Sequence, residues 1–280
     1  MDIIRDVSAM KAFARNAAAE AKSIGLVPTM GFLHEGHISL VRTARKVSEV
    51  VVVSIFVNPT QFGEREDLDS YPRDEKRDLD ILEKEGVDVV FCPVPDEVYS
   101  KGHVTFVEVG GISDKLCGGS RPGHFRGVAT VVLKLFNIIR PDKAFFGLKD
   151  YQQQLVIRRM VTDLDLDVEI LSLPTVREDS GLALSSRNSY LDENERLAAE
   201  VIPSVFTEAR RLFAEGERSS GKIIEKMKKI MDSEPLVVLD YLRLCNKETL
   251  VDLDEVEEGR SILAIALRIG ETRLIDNTEL

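Results

Sequence analysis

The chain carries no apolar run near the roughly 20 residues a membrane helix needs, which argues against a spanning segment. Cysteine is scarce. Cys92, Cys117 and Cys245 are odd in number, far apart and outside any CxxC pair, so neither a disulfide framework nor a zinc site is indicated. Each is most simply a reduced, buried thiol. Basic charge is in deficit: 37 Lys and Arg against 48 Asp and Glu leave a formal net charge of −11, the wrong sign for a general nucleic-acid binder. Any phosphate must then be held in a local pocket. The N-terminal "MDIIRDVSAMKAF" lacks the basic, apolar, small-residue order of a secretory signal, so the expected location is the cytoplasm. Neither GxxxxGK[ST] nor GxGxxG occurs, nor any internal repeat or low-complexity tail. Histidine appears only four times.

What the sequence does contain is alternation. "SIGLVPTM" has the character of a buried strand ending at a proline, and "GHISLVRTARKVS" has helical spacing with Ile38 and Val41 on one face. "EVVVVSIFVN" is a continuous β-branched run suited to a strand covered on both faces. A charged helix opened by Pro72 and the strand "VDVVFCP" follow. Beyond a glycine-rich section the order repeats: helix "GVATVVLKLFNIIR", strand "KAFFG", helix "DYQQQLVIRRMVTDL", strand "DVEILSLP". This predicts an α/β fold, a doubly wound parallel sheet with helices on both faces. Near Pro174 the pattern changes to two helical stretches, "ENERLAAEVIPSVFTEARRLFAEG" and "GKIIEKMKKIMD". The strand candidates "LVVLDYLRLCN", "RSILAIALRIG" and "TRLIDN" come after them. The expected organisation is one domain over residues 1–175 and a smaller α+β domain over residues 176–280.

In open parallel sheets ligands bind beyond the carboxyl ends of the strands, and the loop after the first predicted strand, "PTMGFLHEGH", holds two of the four histidines, His34 and His37. With no glycine-rich cradle, side chains must do more of any phosphate binding. Imidazole N–H groups at a helix N-terminus suit that task, and Gly36 between them would let the backbone approach closely. Two other uses fit the same residues: a metal pair, although "HEGH" is one residue short of HExxH and no third ligand is evident, or a purely structural pair.

Further motifs narrow the choice. "PTMGFLHEGH" resembles the HxGH signature of the nucleotidyltransferase superfamily. It is joined by "VSIFVNPTQF" (53–62), "SRPGHFRGV" (120–128), "FFGLKDYQQ" (145–153) and "PTVREDSGLALSSRN" (174–188). In this order and spacing the motifs resemble the pantothenate synthetases, ATP-dependent ligases that join pantoate to β-alanine in pantothenate and coenzyme A biosynthesis.

The resemblance implies a Rossmann-like sheet, a pantoyl-adenylate intermediate, release of AMP and pyrophosphate, Mg²⁺ on the triphosphate, and a homodimer. It makes His34, His37, Lys149 and Arg187 the catalytic residues, with His37 as proton donor. It also puts Met30, Gly31, Gly147, Asp150, Val176, Leu184, Ser185 and Ser186 on the ATP. Gln61, Gln153, Asn58, Tyr71 and Arg121 would serve pantoate and β-alanine, with Phe56 and Phe62 adding apolar wall and His124 near the rim. Taken alone, "LKD" would be an ordinary helix start with Asp150 as N-cap, and "NPTQF" a turn after a strand. The family usually has methionine where this chain has Leu184, a swap of similar volume. Residues beyond 190 carry no usable motif and, by analogy, form a lid. Other adenylyltransferases of the same superfamily, and a nucleotide-binding module without activity, are the competing readings.

Overall fold

A computed structural model describes residues 1–64 and 66–280. Strands β1 (Asp2–Ile4), β2 (Ile24–Thr29), β3 (Val50–Ile55), β4 (Val89–Phe91), β5 (Lys143–Gly147) and β6 (Glu169–Leu173) form one parallel sheet in the order β1-β4-β3-β2-β5-β6. Neighbouring residues of a strand point to opposite faces, so Leu26 and Val52 join one core and Val27, Val51 and Val53 the other. Helices α1 (Val7–Ala19), α6 (His124–Ile139) and α7 (Tyr151–Asp163) cover the first face. Helices α2 (Glu35–Val47) and α3 (Glu75–Lys84) cover the second. Single turns α4 (Pro95–Val98) and α5 (Cys117–Ser120) lie in the crossover before α6. The doubly wound parallel sheet is therefore present.

The histidine-bearing loop follows β2, the second strand of the chain. The alternation had missed β1, only three residues long, and the Ala-rich α1, which opens on Asp6 accepting the Ala9 amide. The correction matters, because β2 lies where the strand order reverses, with β3 on one side and β5 on the other. That is the switch point at which open α/β sheets bind ligands. A second correction concerns α3, which begins at Glu75 under an Asp74 cap rather than at Pro72.

After β6 the chain forms α8 (Glu193–Ala199), α9 (Val201–Ala214) and α10 (Ser220–Met231), then an antiparallel sheet of β7 (Val237–Asn246), β8 (Ser261–Ile269) and β9 (Thr272–Glu279). The single helix expected over 193–216 is broken at Glu200, since the ring of Pro203 would clash with the carbonyl of residue 199 in a continuous helix. One face of the small sheet packs on α9 and α10 through Leu263, Ile265 and Leu267. The other turns Ile262 and Ala264 towards the first sheet's helices.

Gly127 lets α6 rest on the turn Pro59–Gln61: a Cβ there would lie 2.3 Å from the Thr60 carbonyl oxygen. Gly127→Ala should cost about 1–3 kcal/mol in urea unfolding. Gly221→Ala, on an exposed part of α10 with only Ser219 Oγ at 3.9 Å, should be neutral or stabilising by up to about 1 kcal/mol.

Candidate active site

The loop after β2 is held from behind by Asp78 of α3. This carboxylate is 1% exposed and accepts the backbone N–H groups of Phe32 (2.7 Å) and Leu33 (2.8 Å). Burial pushes its pKa above the usual range, while the two amides and Arg77 pull it back. The loop it secures turns through left-handed conformations at Gly31 (φ +82°) and Phe32 (φ +51°), and Arg77 lies over the Phe32 ring at 5.3 Å. A Cβ on Gly31 would come within 3.1 Å of both Asp78 Oδ2 and Ile55 Cγ2. Gly31 therefore shapes the loop from behind. It is the one expected nucleotide contact that does not line the cavity described below.

The two histidines then cap α2 reciprocally. The Gly36 N–H donates to His34 Nδ1 (3.2 Å), the His34 N–H donates to His37 Nδ1 (3.3 Å), and the rings lie 4.1 Å apart. An Nδ1 that accepts cannot carry the proton, so each neutral ring is protonated at Nε2. Burial, reinforced by Lys149, lowers the His34 pKa to about 4, and burial holds His37 well below its ordinary value. Gly36 also serves the cap: a Cβ there would lie 2.9 Å from His34 Cε1 and Nδ1 and crowd the ring.

Across the switch point, β5 ends in the turn Leu148–Asp150, which carries Lys149. Asp150 occupies the N-cap position of α7 but its side chain makes no cap bond and stays half-exposed, 3.9 Å from the lysine ammonium. Asp150 thus stands where the helix-start alternative for "LKD" puts it, but without the side-chain cap bond. Beyond β6, a hairpin closed by the Arg177–Ala183 bridge leads into Leu184 and the turn Ser186–Tyr190, where Ser185 Oγ accepts the Arg187 N–H. Ser186 is buried and donates to the Phe32 carbonyl (3.2 Å), tying this turn to the histidine loop.

Both arginines singled out from the sequence are already paired, by adjacent residues of one loop. Asp67 accepts two bonds from Arg187, each 2.8 Å, and Glu66 accepts two from Arg121, at 2.7 and 2.5 Å. Burial works against both carboxylates, but the guanidinium bonds win and leave their pKa values low. Arg121 also donates to His124 Nε2, so His124 carries its proton on Nδ1 and donates it to the Gln61 carbonyl (2.8 Å). Burial and Arg121 bring His124 down to about 4.

Asn58 is fully engaged by the protein. Its amide donates to Gln61 Oε1 and the Gly127 carbonyl, and its Oδ1 accepts from Tyr99 OH and Thr60. Asn58 places Gln61, whose Nε2 approaches Met30 Sδ at 3.0 Å. The three consecutive glutamines divide. Gln152 clamps the loop before α5 through Cys117, Ile112 and Lys115, and Gln154 holds Arg158 and Ser172. Gln153 has no side-chain hydrogen bond among the described residues and lines the cavity.

That cavity, about 690 Å³, is walled by every expected site residue except Gly31, including Gly147, Val176, Tyr71, Phe56 and Phe62. Its far wall is the small sheet, with Asp240, Tyr241, Arg273 and Asn277. Sequence reasoning missed Asp78, Glu66, Asp67 and Asn277, because each acts through a partner distant in sequence and sits in no local pattern.

Residues 2–279 match the family described as pantoate-beta-alanine ligase. A pantothenate synthetase of Thermosipho melanesiensis is 52% identical over 277 residues, covering 99% of this chain and 98% of that protein. The crystal structure of pantothenate synthetase from Thermus thermophilus superposes with a TM-score of 0.94 at 43% identity, covering 100% and 99% of the two chains. That of a Francisella tularensis pantoate-beta-alanine ligase, complexed with beta-gamma ATP and beta-alanine, gives 0.84 at 35%, covering 100% and 97%. Agreement over the full length in both sequence and fold means that the chain is an enzyme and belongs to the pantoate–β-alanine ligase family.

Proposed function

We propose that the enzyme activates pantoate with ATP: the pantoate carboxylate attacks the α-phosphorus and expels pyrophosphate, and the β-alanine amine then attacks the pantoyl adenylate and releases AMP. The observation that carries this reading is the reciprocal histidine cap. It fixes two neutral Nε2–H donors in the wall of a cavity that also holds Lys149, Arg187 and, on another side, Gln61 and Gln153. Charge that builds on the phosphates would meet preset donors in a half-buried site, where they stabilise most. His37 starts as a hydrogen-bond donor rather than an imidazolium, and a bound triphosphate would raise its pKa towards proton transfer. Gln61, held by Asn58 and His124, and Gln153 offer amides matched to the hydroxyls and carboxylate of pantoate. No protein nucleophile is required. The walls must orient two anions and keep water from the mixed anhydride.

No group of three or more His, Cys, Asp or Glu among the described residues is placed to hold a metal ion. The proposed Mg²⁺ would therefore arrive on the nucleotide as part of the substrate, as is common for phosphate-bound magnesium. The division at residue 175, the homodimer and the cytoplasmic location belong to the same proposal. Separate cores in the two halves support the first, and family resemblance supports the other two. Among the described residues, no helix is long and apolar enough to cross a membrane.

Labelled pyrophosphate should exchange into ATP only when pantoate and Mg²⁺ are present, without β-alanine. His37→Ala should lower that exchange by about 10²–10³-fold. Exchange independent of pantoate would contradict the assignment.

The depressed histidines also predict a pH dependence of stability. Unfolded histidines bind protons near pH 6.5, whereas folded His34 and His124 wait until about 4. Between these values the unfolded chain holds more protons, so stability falls as pH drops from about 6.5 to 4. His124→Gln should remove about 3 kcal/mol of that loss, visible as a flatter plot of unfolding free energy against pH.

A further inference from the structure

Two adjacent residues of β9 hold two separate segments of the cavity wall. The Asn277 side-chain amide donates to the carbonyls of Leu148 and Lys149, both at 2.9 Å, and so holds the turn that presents the lysine. Asp276, 3% exposed, takes a two-bonded pair from Arg177 at 2.6 and 3.1 Å. Arg177 also donates to the Gly181 carbonyl and pairs with Ala183, closing the hairpin that delivers Leu184 to Arg187. Successive strand residues point to opposite faces, so one short segment serves both neighbours. The Asp276 carboxylate also accepts the Asn277 N–H at 2.8 Å, which locks the pair together.

We propose that Asn277, backed by Asp276, is a positioning residue for the reaction: it sets where Lys149 stands relative to the Ser185–Arg187 turn. The small sheet acts as a brace for the phosphate-facing wall, in addition to any closing motion. The proposal rests on Lys149 acting on the ATP phosphates as described above. The contacts imply that removing the amide frees the Lys149 turn while leaving Gln61, which is placed by Asn58, as it is. A displacement near 1 Å can cost about 10²-fold in rate.

The test is a double-mutant cycle on the full chain, N277A and K149A singly and together, read by pantoate-dependent pyrophosphate exchange and by Tm. N277A should lower kcat by about 10–100-fold with the pantoate KM within about twofold, and Asn277→Ser, which keeps one donor, should recover part of the loss. In the K149A background N277A should cost less than about twofold, because the residue acts through the lysine. Equal losses in both backgrounds, full activity in N277A, or no recovery with serine would overturn the proposal. If N277A does not fold, N277S and K149A complete the same cycle, with the same criterion of equal or unequal loss. Failure of the underlying reading looks different: wild-type protein without pantoate-dependent exchange, or K149A as active as wild type, would remove the premise and the proposal with it.

Discussion

The carboxylate of Asp78 is the contact on which the rest of the site depends. An ionised side chain removed from water is costly unless it is hydrogen-bonded, and here the compensation comes from two amides of the loop after β2. Those amides can reach it only because Gly31 and Phe32 adopt left-handed backbone, a conformation that costs a non-glycine residue about 1–2 kcal/mol. Buried charge and strained loop therefore stabilise each other. Their joint product is the position of His34 at the N-terminus of α2, from which the reciprocal cap follows. The cap in turn sets the tautomers. A chain of backbone contacts thus decides which nitrogen of each histidine carries its proton, three steps removed from any ligand.

Electrostatics at the cavity run against the chain as a whole. The protein is acidic, with a formal charge of −11, yet the proposed phosphate-facing wall carries Lys149 and Arg187, with Arg121 further round the cavity. Two of the three are held by Glu66 and Asp67, which keeps guanidinium groups ordered in a half-buried setting where an unpaired charge would be unfavourable. A bidentate carboxylate and a phosphate use the same fork of N–H donors. On the proposed reading, an incoming triphosphate either shares Arg187 with Asp67 or replaces it. On that reading Asp67 belongs with the nucleotide side of the cavity, although it did not stand out in the sequence.

The parallel sheet was legible because strands covered on both faces leave uninterrupted β-branched runs such as Val50–Ile55. β1 was not, since three residues cannot show a period and its pairing with β4 is decided by tertiary contact. Within the site, the motif residues were named through a family resemblance carried by short local motifs. Their supports were not, because the partners are far apart in sequence: Asp78 to Phe32 spans 46 positions and Asn277 to Lys149 spans 128. The same contrast explains Asn58. It lies inside a recognisable motif, yet its buried amide is committed to the protein frame, and only the three-dimensional partners reveal that.

On the proposed reading no protein nucleophile takes part, so the reaction asks for geometry above all. The cavity draws its walls from the ends of β2, β3, β5 and β6 and from a sheet formed by the last 44 residues, Val237 to Leu280. The first four arrive together as the large sheet forms. The turn bearing Lys149 and the hairpin leading to Arg187 are held to the second sheet, so their placement is complete only when β9 seats against them. Formation of the proposed phosphate-facing wall is thereby coupled to docking of the C-terminal sheet. Gln61, by contrast, is fixed by Asn58 and by His124 of α6. On the proposed reading, a shift of the small sheet would alter the Lys149 turn and the hairpin before Arg187 while Gln61 keeps its own support.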